Sequence, residues 1–416
     1  MMTQNQIETP KTRQTANKGD CLRTCHQPVG SGHPPSPPGY LTQSDPIRLK
    51  KQKTKSITAN RPTFGHSTKA IREATPGFSL GGICVNPWPV IVTTDAKILS
   101  ALRASPDGIS GTQLAEQLAI SRAAVWARIE ALRQVGFEIE AGPHFGYRLL
   151  DEPDALLADD LSARLGDTQV IGRDIQVFEQ TTSTNDVAEK LARDGVKEGA
   201  VVFAESQTKG RGRLGRVWLS PTRKGLWFSV LLRPNLQPQE TTQLTVISAT
   251  ALRRAFKSIT GLTADIKWPN DLLVGGRKTA GILTELSAEL DRVRHVILGI
   301  GVDVNQDAAD FTPELRKTAT SLKLESGAAV SRAELAVAIL RELDADYARI
   351  RAGKFSDVAD EWEEACVTIG KDVTVHIGER HFRGHAESLD DGGALLVRTE
   401  HGHLERVIGG DVMLEK

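Results

Sequence analysis

The sequence predicts an α+β protein of several domains, and three observations carry this prediction. Apolar residues recur at helical spacing from Thr94, and from about Asp151 β-rich runs alternate with helical patterns. From Gly370 the chain turns to short strands separated by turn signals. Because 416 residues exceed what one hydrophobic core usually supports, more than one folded unit is expected.

The overall composition excludes some classes of protein. Lys and Arg together number 52, as do Asp and Glu, so any nucleic-acid surface must be local. The four cysteines form no regular framework, which indicates a reducing compartment. No apolar run reaches the roughly 18 to 20 residues that span a bilayer, and no signal core follows the first methionine. The sequence therefore predicts a cytoplasmic protein without a membrane partner.

Residues 1–90 are predicted to form a disordered, basic and Pro-rich extension. Twelve Lys and Arg stand against four Asp and Glu up to Val90, and too few apolar residues are present to offset the entropy of ordering. Three interpretations stay open: a solvated tail with or without contacts to nucleic acid, a transit peptide, or a segment upstream of a true translation start near Val85 to Val92.

Between residues 91 and 152 the pattern predicts three short helices and a hairpin. Ser110 and Gln113 have the spacing of a capping box, and Ser121 stands where the third helix needs an N-cap. Two alternating runs flank a turn at Gly142 and Pro143. Three helices followed by a hairpin make a winged helix-turn-helix, which predicts a DNA-binding domain.

The third predicted helix, residues 122–134, carries the candidate DNA contacts. Arg122, Arg128 and Arg133 face away from its apolar stripe, which suits base or phosphate contacts in a major groove. The residues assigned to DNA binding are Ser121, Arg122, Ala123, Trp126 and Arg128. The alternative is that this module has become a structural appendage.

The sharpest motif, residues 208–218, combines four basic side chains with three glycines between a predicted strand and a Trp-Leu-Ser-Pro turn. Glycine lets backbone N–H groups approach an anion, and guanidinium groups bind phosphate or carboxylate oxygens through paired hydrogen bonds. The spacing matches neither a Walker A loop nor a dinucleotide-binding fingerprint. A flexible RNA-binding segment is the alternative, but the position between strands favours a loop that meets phosphate.

Three further stretches carry polar or glycine-rich patterns. Residues 266–272 and 275–285 place Lys278 after a tight turn, where it could offset the charge that develops when a carboxylate attacks an α-phosphate. Alone, Lys278 would equally well be a solvated hairpin lysine. Residues 298–305 form an apolar strand interrupted by two glycines, which often marks close approach of a ligand. Residues 181–185 form a hydroxyl-rich turn that either binds a polar ligand or caps a helix.

Taken together and in this order, the four stretches resemble those of the biotin–protein ligases, from about Thr94 to the C-terminus. The resemblance implies a winged helix-turn-helix at 91–152, as in the biotin operon repressors. It implies a mixed β-sheet ligase domain at 153–365, similar to class II aminoacyl-tRNA synthetases and lipoate ligases. It also implies an SH3-like β-barrel at 366–416, ending in a segment similar to residues 409–412.

The same resemblance implies the roles of individual residues. Catalysis is assigned to Lys278, Arg213 and Arg216. Biotin binding is assigned to Ser183, Thr184, Asn185, Gln207, Gly210, Arg211, Gly212, Arg213, Lys278, Gly281 and Gly299. ATP or adenylate binding is assigned to Arg216, Trp218, Lys267, Asn270 and Asp303, with Gly301 also in the pocket and Asp271 close to Mg²⁺.

One position departs from the family's pattern. Where relatives usually carry asparagine near the adenine, this chain has Asp303. A carboxylate accepts a hydrogen bond from the adenine amino group but cannot donate one, so adenine recognition is expected to be altered or supplied by the backbone.

The function that the resemblance implies needs biotin, ATP and Mg²⁺. The biotin carboxylate attacks the α-phosphate, and a lysine on the biotin carboxyl carrier protein domain of a biotin-dependent carboxylase then takes biotin from the adenylate. Operator DNA and a homodimer formed when the adenylate is bound complete the expected partners. The alternatives are a lipoate ligase or acyltransferase on the same scaffold, and a biotin-sensing transcription factor without ligase turnover.

Overall fold

The computed structural model describes residues 93–290 and 292–415. The extension predicted at 1–90 therefore lies outside the described residues. Within the described part of the chain, no helix is both long and apolar enough to cross a membrane.

The described chain begins with three helices and a hairpin. Each helix begins after a hydroxyl side chain that accepts a backbone N–H, at Thr93, Ser110 and Ser121. Ser110 also forms the predicted capping box with Gln113. The apolar faces of the helices close a core of their own. The elements are α1 (Thr94–Arg103), α2 (Gly111–Leu118), α3 (Arg122–Gln134) and the antiparallel pair β1 (Glu138–Gly142) and β2 (Gly146–Asp151).

The middle of the chain alternates strands and helices, as predicted. Its elements are α4 (Ala158–Leu165), β3 (Asp174–Phe178), α5 (Thr184–Arg193), β4 (Ala200–Ala204), β5 (Gly225–Leu232), α6 (Thr242–Thr260), β6 (Asp265–Lys267), β7 (Asp271–Val274), β8 (Arg277–Glu289), β9 (Arg292–Asp303), α7 (Leu322–Ser326), α8 (Arg332–Arg351) and α9 (Ser356–Ala365). The strands form one sheet in the order β3-β4-β5-β9-β8-β7-β6. Only β3 and β4 pair in parallel, so the sheet is mixed and the layout is α+β.

The two faces of this sheet are covered differently, and the difference leaves room for a site. Phe228, Leu298 and Ile300 belong to the large core that also holds α6 and α8. On the other face, α5 packs against Leu231 and Ile297. Because successive side chains of a strand point to opposite faces, residues 299, 301 and 303 of β9 share the face with Ile297 and continue beyond α5. That part of the sheet surface forms the floor of a cavity.

The C-terminal strands form a five-stranded antiparallel sheet in the order β13-β12-β11-β10-β14. They are β10 (Asp372–Ile377), β11 (Arg380–Leu389), β12 (Leu395–Thr399), β13 (Leu404–Val407) and β14 (Asp411–Leu414). Val373, Val375 and Val397 are buried in the same core as the helices of the central sheet. This sheet is therefore packed onto the central part, while its closure into an SH3-like barrel and the four domain boundaries stay predictions.

Candidate active site

A cavity of about 640 Å³ lies on the sheet face that α5 leaves open. Its wall includes almost all of the residues predicted to bind ligand, although they are spread over more than 100 positions of sequence. They are Ser183, Thr184, Asn185, Gln207, Arg211, Gly212, Arg213, Arg216, Trp218, Lys267, Asn270, Asp271, Lys278, Gly281, Gly299, Gly301 and Asp303. Gly210 is the predicted residue that does not line the cavity.

Uncharged polar groups form one end of the cavity, where α5 begins. The backbone N–H of Thr184 donates to Gln207 Oε1 at 2.8 Å, and the Gln207 amide donates to Ser220 Oγ at 3.0 Å. Ser229 Oγ donates to Thr184 Oγ1 at 2.7 Å and to Asn185 Oδ1 at 2.5 Å. This network fixes the amide of Gln207 and the start of α5 relative to the strands, so the polar groups are held in place before a ligand arrives.

Glycines keep the floor of the cavity flat. A Cβ atom on Gly299 would lie 2.3 Å from Asn185 Oδ1, so no larger residue fits there without displacing Asn185. Gly281 and Gly301 face each other across β8 and β9, and a Cβ on either would meet the Trp218 ring at 2.8 or 2.6 Å. The Trp218 indole therefore packs closely on the backbone of β8 and β9, so Trp218 explains Gly301 and Asn185 explains Gly299, the two glycines of the otherwise apolar β9.

The glycine and arginine loop, residues 208–218, covers the cavity and contacts the C-terminal sheet. Arg213 donates to the carbonyl of Gly410 at 2.9 Å and to Asn270 Oδ1 at 3.1 Å, and Arg216 pairs with Asp411. Burial lowers the pKa of Arg213, and the nearby charges of Asp411 and Asp271 oppose this only in part. Both of its hydrogen-bond acceptors are uncharged. A half-buried guanidinium with neutral acceptors is suited to bind an anionic ligand.

Arg211 belongs to the same loop but has anionic partners. It donates to both oxygens of Glu285 at 3.1 Å and to Asp186 Oδ1 at 2.7 Å. These carboxylates, Glu285 first, raise the pKa of Arg211. Glu285 also accepts from the Asn185 amide at 2.8 Å, so one carboxylate ties the loop to the start of α5.

Lys278 and Asp271 stand together near the turn between β7 and β8. Lys278 Nζ donates to Asp271 Oδ1 at 2.5 Å and lies 5.3 Å from the centroid of the Trp218 ring. Asn270, beside Asp271, donates to the carbonyl of Ile282 at 2.8 Å. The cavity wall thus includes the cations of Lys278, Arg213 and Arg216, whereas Arg211, which also lines it, is paired with Asp186 of α5 and with Glu285.

Asp303 ends β9 and is 7% exposed. Its carboxyl accepts from the amide of Gln306, whose own Oε1 is buried without a hydrogen-bond partner among the described residues. Burial raises the pKa of Asp303 well above its ordinary value, and the nearby charge of Lys278 opposes that rise only in part. A carboxyl in this environment favours its neutral form, which both accepts and donates a hydrogen bond.

The five residues predicted to bind DNA lie at the start of α3 and on its exposed surface. Ser121, Arg122, Ala123, Trp126 and Arg128 are all exposed, and Trp126 has 58% of its surface accessible. The Arg128 guanidinium lies 3.5 Å from a carboxylate oxygen of Asp95 in α1, and 54% of the Arg128 side chain is exposed to solvent.

Arg133 differs from the other two arginines that the sequence placed on this surface. It donates to the carbonyl of Ile139 at 2.9 Å and pairs with Glu130. Arg133 therefore ties α3 to the hairpin, and its expected contact with DNA stays a prediction.

Three family models match this chain. The biotin/lipoate A/B protein ligase family matches residues 177–303, an HTH domain matches residues 95–148, and the biotin protein ligase C terminal domain matches residues 368–414. The bifunctional ligase/repressor BirA of Bacillus spizizenii is 39% identical over 312 residues, which cover 75% of this chain and 95% of that relative. The chain belongs to the bifunctional biotin–protein ligase/repressor family.

Other members of this family give the same result. The bifunctional ligase/repressor BirA of Escherichia coli is 30% identical and is covered over 96% of its length, against 76% of this chain. A solved structure of the biotin protein ligase from Aquifex aeolicus in complex with biotin and ATP is 30% identical, with a TM-score of 0.50 over 58% of this chain and 99% of that one. The described part of the chain without the three-helix module therefore has the fold of a biotin protein ligase.

Some residues of this biotin–protein ligase site were missed by the sequence analysis. Glu285 lies on β8 two and four residues beyond Leu283 and Gly281, so strand periodicity alone could have placed it on the cavity face. Ser229 pairs across strands with Gly299, and no local pattern marks it. The C-terminal strands also contribute wall residues, namely His376, Asp411, Val412 and Met413.

Proposed function

We propose that this chain is an ATP-dependent biotin–protein ligase that forms biotinyl-5′-AMP and transfers biotin to a lysine of a biotin carboxyl carrier protein. It is also a biotin-responsive transcriptional repressor. The observation that carries the ligase proposal is the composition of the cavity wall. Uncharged hydrogen-bonding groups at α5 and the cations Lys278, Arg213 and Arg216 face one enclosed space, which suits a neutral bicyclic head group joined to a phosphate.

Biotin occupies the end of the cavity at α5. Asn185, Thr184 and Gln207 are fixed by hydrogen bonds among themselves and with Ser229, so they offer oriented polar groups to the ureido ring. The flat glycine floor at Gly299 and Gly281 leaves room for the ring system. Arg211, which is hydrogen-bonded to Glu285, covers the biotin at this end of the cavity. The carboxylate of biotin then points along the cavity toward Lys278.

Adenylate formation requires charge neutralisation more than acid–base chemistry. A biotin carboxylate oxygen attacks the α-phosphorus, the new O–P bond forms, and the bond to pyrophosphate breaks. Negative charge accumulates on the phosphoryl oxygens during this step, and Lys278, Arg213 and Arg216 are the cations that face it. The acceptor lysine, as a neutral amine, then attacks the anhydride carbonyl, AMP leaves, and the amine proton is lost to solvent.

The donor set fits Mg²⁺ as proteins commonly hold it, through one or two carboxylates and the phosphates of the substrate. Asp271 supplies a carboxylate beside Lys278. Among residues 93–290 and 292–415, no group of three or more His, Cys, Asp or Glu side chains could hold a metal ion by itself, so substrate phosphates would complete the coordination. We assign Asp271 to Mg²⁺, which when bound neutralises phosphate charge.

The adenine lies against the part of the cavity between Trp218, Lys267, Asn270 and Asp303, where Phe311 and Leu315 also line the wall. Aromatic and aliphatic side chains there suit a flat base. The neutral form of Asp303 would present both a donor and an acceptor, as an asparagine does. The departure at this position is therefore compatible with adenine recognition.

The repressor role rests on the exposed side of α3. The DNA-binding domain in this role is a winged helix-turn-helix at 91–152, in which β1 and β2 form the wing and α3 enters the major groove of DNA. The ligase domain spans 153–365 and an SH3-like barrel spans 366–416. Operator DNA is bound by a homodimer that forms when the adenylate fills the cavity.

The experiment that tests the ligase proposal is transfer of labelled biotin from ATP-containing buffer to a purified biotin carboxyl carrier domain. We expect label on the lysine of the carrier only when the chain, ATP and biotin are all present. A Lys278→Ala variant with the same circular dichroism spectrum serves as the matched blank. If the chain binds biotin and DNA but never labels the carrier, the sensor without ligase turnover becomes the function.

A further inference from the structure

We propose that Arg332 is a positioning residue that couples the biotin end of the cavity to the segment leading to the DNA-binding module, through Glu205 on one side and Asp154 on the other. This inference rests on the proposed function, since it concerns how ligand in the cavity affects DNA binding by the same chain. It assigns a role to a residue that lies outside the cavity wall.

Arg332 is the first residue of α8 and is fully buried. Its guanidinium donates to both carboxylate oxygens of Glu205, which is also buried. It donates further to Asp154 Oδ1 at 3.0 Å and to the carbonyl of Asp154 at 3.0 Å. A planar guanidinium with fixed donors sets the relative positions of the groups that it contacts, which an ammonium does not.

On the cavity side, Glu205 follows β4 and stands two residues before Gln207. Its N–H donates to the carbonyl of Phe178 at 2.8 Å, and its Oε1 accepts from the N–H of Leu156 at 2.8 Å. The next turn carries Gln207, whose amide oxygen accepts from Thr184. A shift of the buried Glu205 therefore moves the Gln207 turn, and a ligand that fixes Gln207 restrains Glu205 in return.

Arg332 also reaches the other wall of the cavity. Its Nη1 lies 3.4 Å from the carbonyl of Gly225, the residue of β5 that pairs with Asp303 of β9. One buried side chain thus contacts the strand ends that lead to both Gln207 and Asp303. Gln207 and Asp303 both line the cavity, so Arg332 is linked to two separate parts of the cavity wall.

On the module side, Asp154 belongs to the segment that joins the hairpin to α4. Glu152 of this segment accepts from Arg103 of α1 at 2.8 Å. Arg103 also pairs with Asp160 of α4, and Arg164 joins the same two carboxylates. The segment is therefore held at one end by the DNA-binding module and at the other by Arg332, with few residues between the two anchors.

Ligand binding and DNA binding are expected to strengthen each other. Ligand in the cavity restrains Glu205 and hence the segment, which favours one orientation of the DNA-binding module. If DNA binds that orientation, ligand raises the affinity for DNA, and DNA raises the affinity for ligand by the same factor. Removing the side-chain contact between Arg332 and Asp154 should reduce this coupling without changing the chemistry in the cavity, while the carbonyl of residue 154 still accepts from Arg332. Asp154 is the informative position because its side chain is 60% exposed and the buried Arg332 keeps Glu205 as an anionic partner when the Asp154 carboxylate is lost.

The test uses the full-length chain with Asp154→Ala. The DNA probe is a duplex selected from a random pool by the wild-type chain in the presence of biotin and ATP. Its dissociation constant is measured with and without biotin and ATP, and pyrophosphate exchange is measured in parallel. Asp151→Ala is the matched control, because Asp151 is the last residue of β2, just before this segment, is exposed, and makes no hydrogen bond or ion pair with Arg332 among the described residues.

We expect Asp154→Ala to retain pyrophosphate exchange within about twofold while the ligand-induced gain in DNA affinity falls about threefold or more. Asp154→Asn, which keeps an acceptor oxygen for Arg332, should restore most of that gain, and Asp151→Ala should leave it unchanged. An Asp154→Ala chain with the wild-type gain would overturn the proposal. If wild-type chain shows no exchange, the ligase function fails instead, and the coupling is then measured with biotin alone.

Discussion

The ammonium of Lys278 and the carboxylate of Asp271 are 2.5 Å apart on the neighbouring strands β8 and β7, and both residues line the cavity. The pair holds the Lys278 ammonium beside the Trp218 ring, 5.3 Å from the ring centroid. Phosphate and Mg²⁺ compete for these same two groups in the proposed reaction. The pair thus joins one cation and one carboxylate by a salt bridge, and under the proposed function the carboxylate would hold Mg²⁺.

Lys278→Ala is expected to lower biotin-dependent pyrophosphate exchange by about 100-fold or more, the usual size of losing one charged group that stabilises a transition state. The fold should survive because the Lys278 side chain is 31% exposed. Lys323→Ala is the matched control, since Lys323 pairs with Asp307 outside the cavity. Unchanged turnover in Lys278→Ala would remove this lysine from the mechanism.

Gly299→Ala is expected to weaken biotin binding by about tenfold or more, because an added Cβ would lie 2.3 Å from Asn185 Oδ1. Isothermal titration with biotin measures the effect. Gly409→Ala, where the nearest atom to an added Cβ is 3.8 Å away, should bind biotin as the wild type does. Equal affinities in both variants would show that biotin does not use the floor at Gly299.

Arg213→Ala is expected to speed release of biotinyl-adenylate by about tenfold, the usual effect of losing hydrogen bonds to a charged group. The loop would also lose its contacts with Gly410 and Asn270. Stopped-flow release of the adenylate is the measurement. Lys209→Ala, an exposed residue of the same loop outside the cavity wall, serves as control. A release rate equal to that of the control would show that Arg213 does not retain the adenylate and acts only in the reaction of biotin with ATP.

Asp303→Asn is expected to stabilise the fold by an amount that grows with pH. Folding raises the pKa of Asp303, so the folded chain holds this proton above the pH where the unfolded chain releases it. Wild-type stability therefore falls as pH rises from about 4 through the folded pKa, whereas asparagine has no proton to lose. Urea unfolding between about pH 4 and pH 8 measures the difference.

Asp307→Asn gives the opposite sign and serves as the control for that experiment. Hydrogen bonds from Lys323 and Lys224 lower the pKa of Asp307, so its contribution is present above the unfolded pKa and lost as pH falls through the folded one. The stability difference between wild type and this variant should therefore shrink on acidification. A pH-independent difference for Asp303→Asn would contradict the assignment of a buried neutral carboxyl.

Arg122→Ala is expected to weaken DNA binding and to reduce the slope of log affinity against log salt by about one, as loss of one phosphate contact does. Arg133→Ala should lower thermal stability instead, because Arg133 donates to Ile139 and pairs with Glu130. Filter binding over a range of salt concentrations separates the two. An unchanged slope in Arg122→Ala would show that Arg122 does not contact a DNA phosphate.

Local patterns were enough to predict many elements of the fold. α3 begins and ends at the predicted residues, and the capping box at Ser110 is present. The strand predicted within 298–305 belongs to β9, which begins earlier and runs from Arg292 to Asp303. Its ends carry charged residues and glycine, which have low intrinsic strand preference and are held there by pairing with β8.

The candidate site was only partly visible in the sequence. Motifs placed Lys278, Arg213 and Asn185 because their residue types and neighbours carry the chemistry. Asp411 and His376 contribute to the same wall from strands that start more than 100 residues after β7, and only packing of the C-terminal sheet brings them there. Contacts of this kind depend on tertiary arrangement, which local periodicity does not encode.

Biotin-dependent exchange of labelled pyrophosphate into ATP tests the central claim most directly, since it reports adenylate formation without an acceptor protein or DNA. The account predicts exchange that requires both biotin and Mg²⁺ and is lost in Lys278→Ala. Absence of exchange from a folded chain that still binds biotin would contradict it.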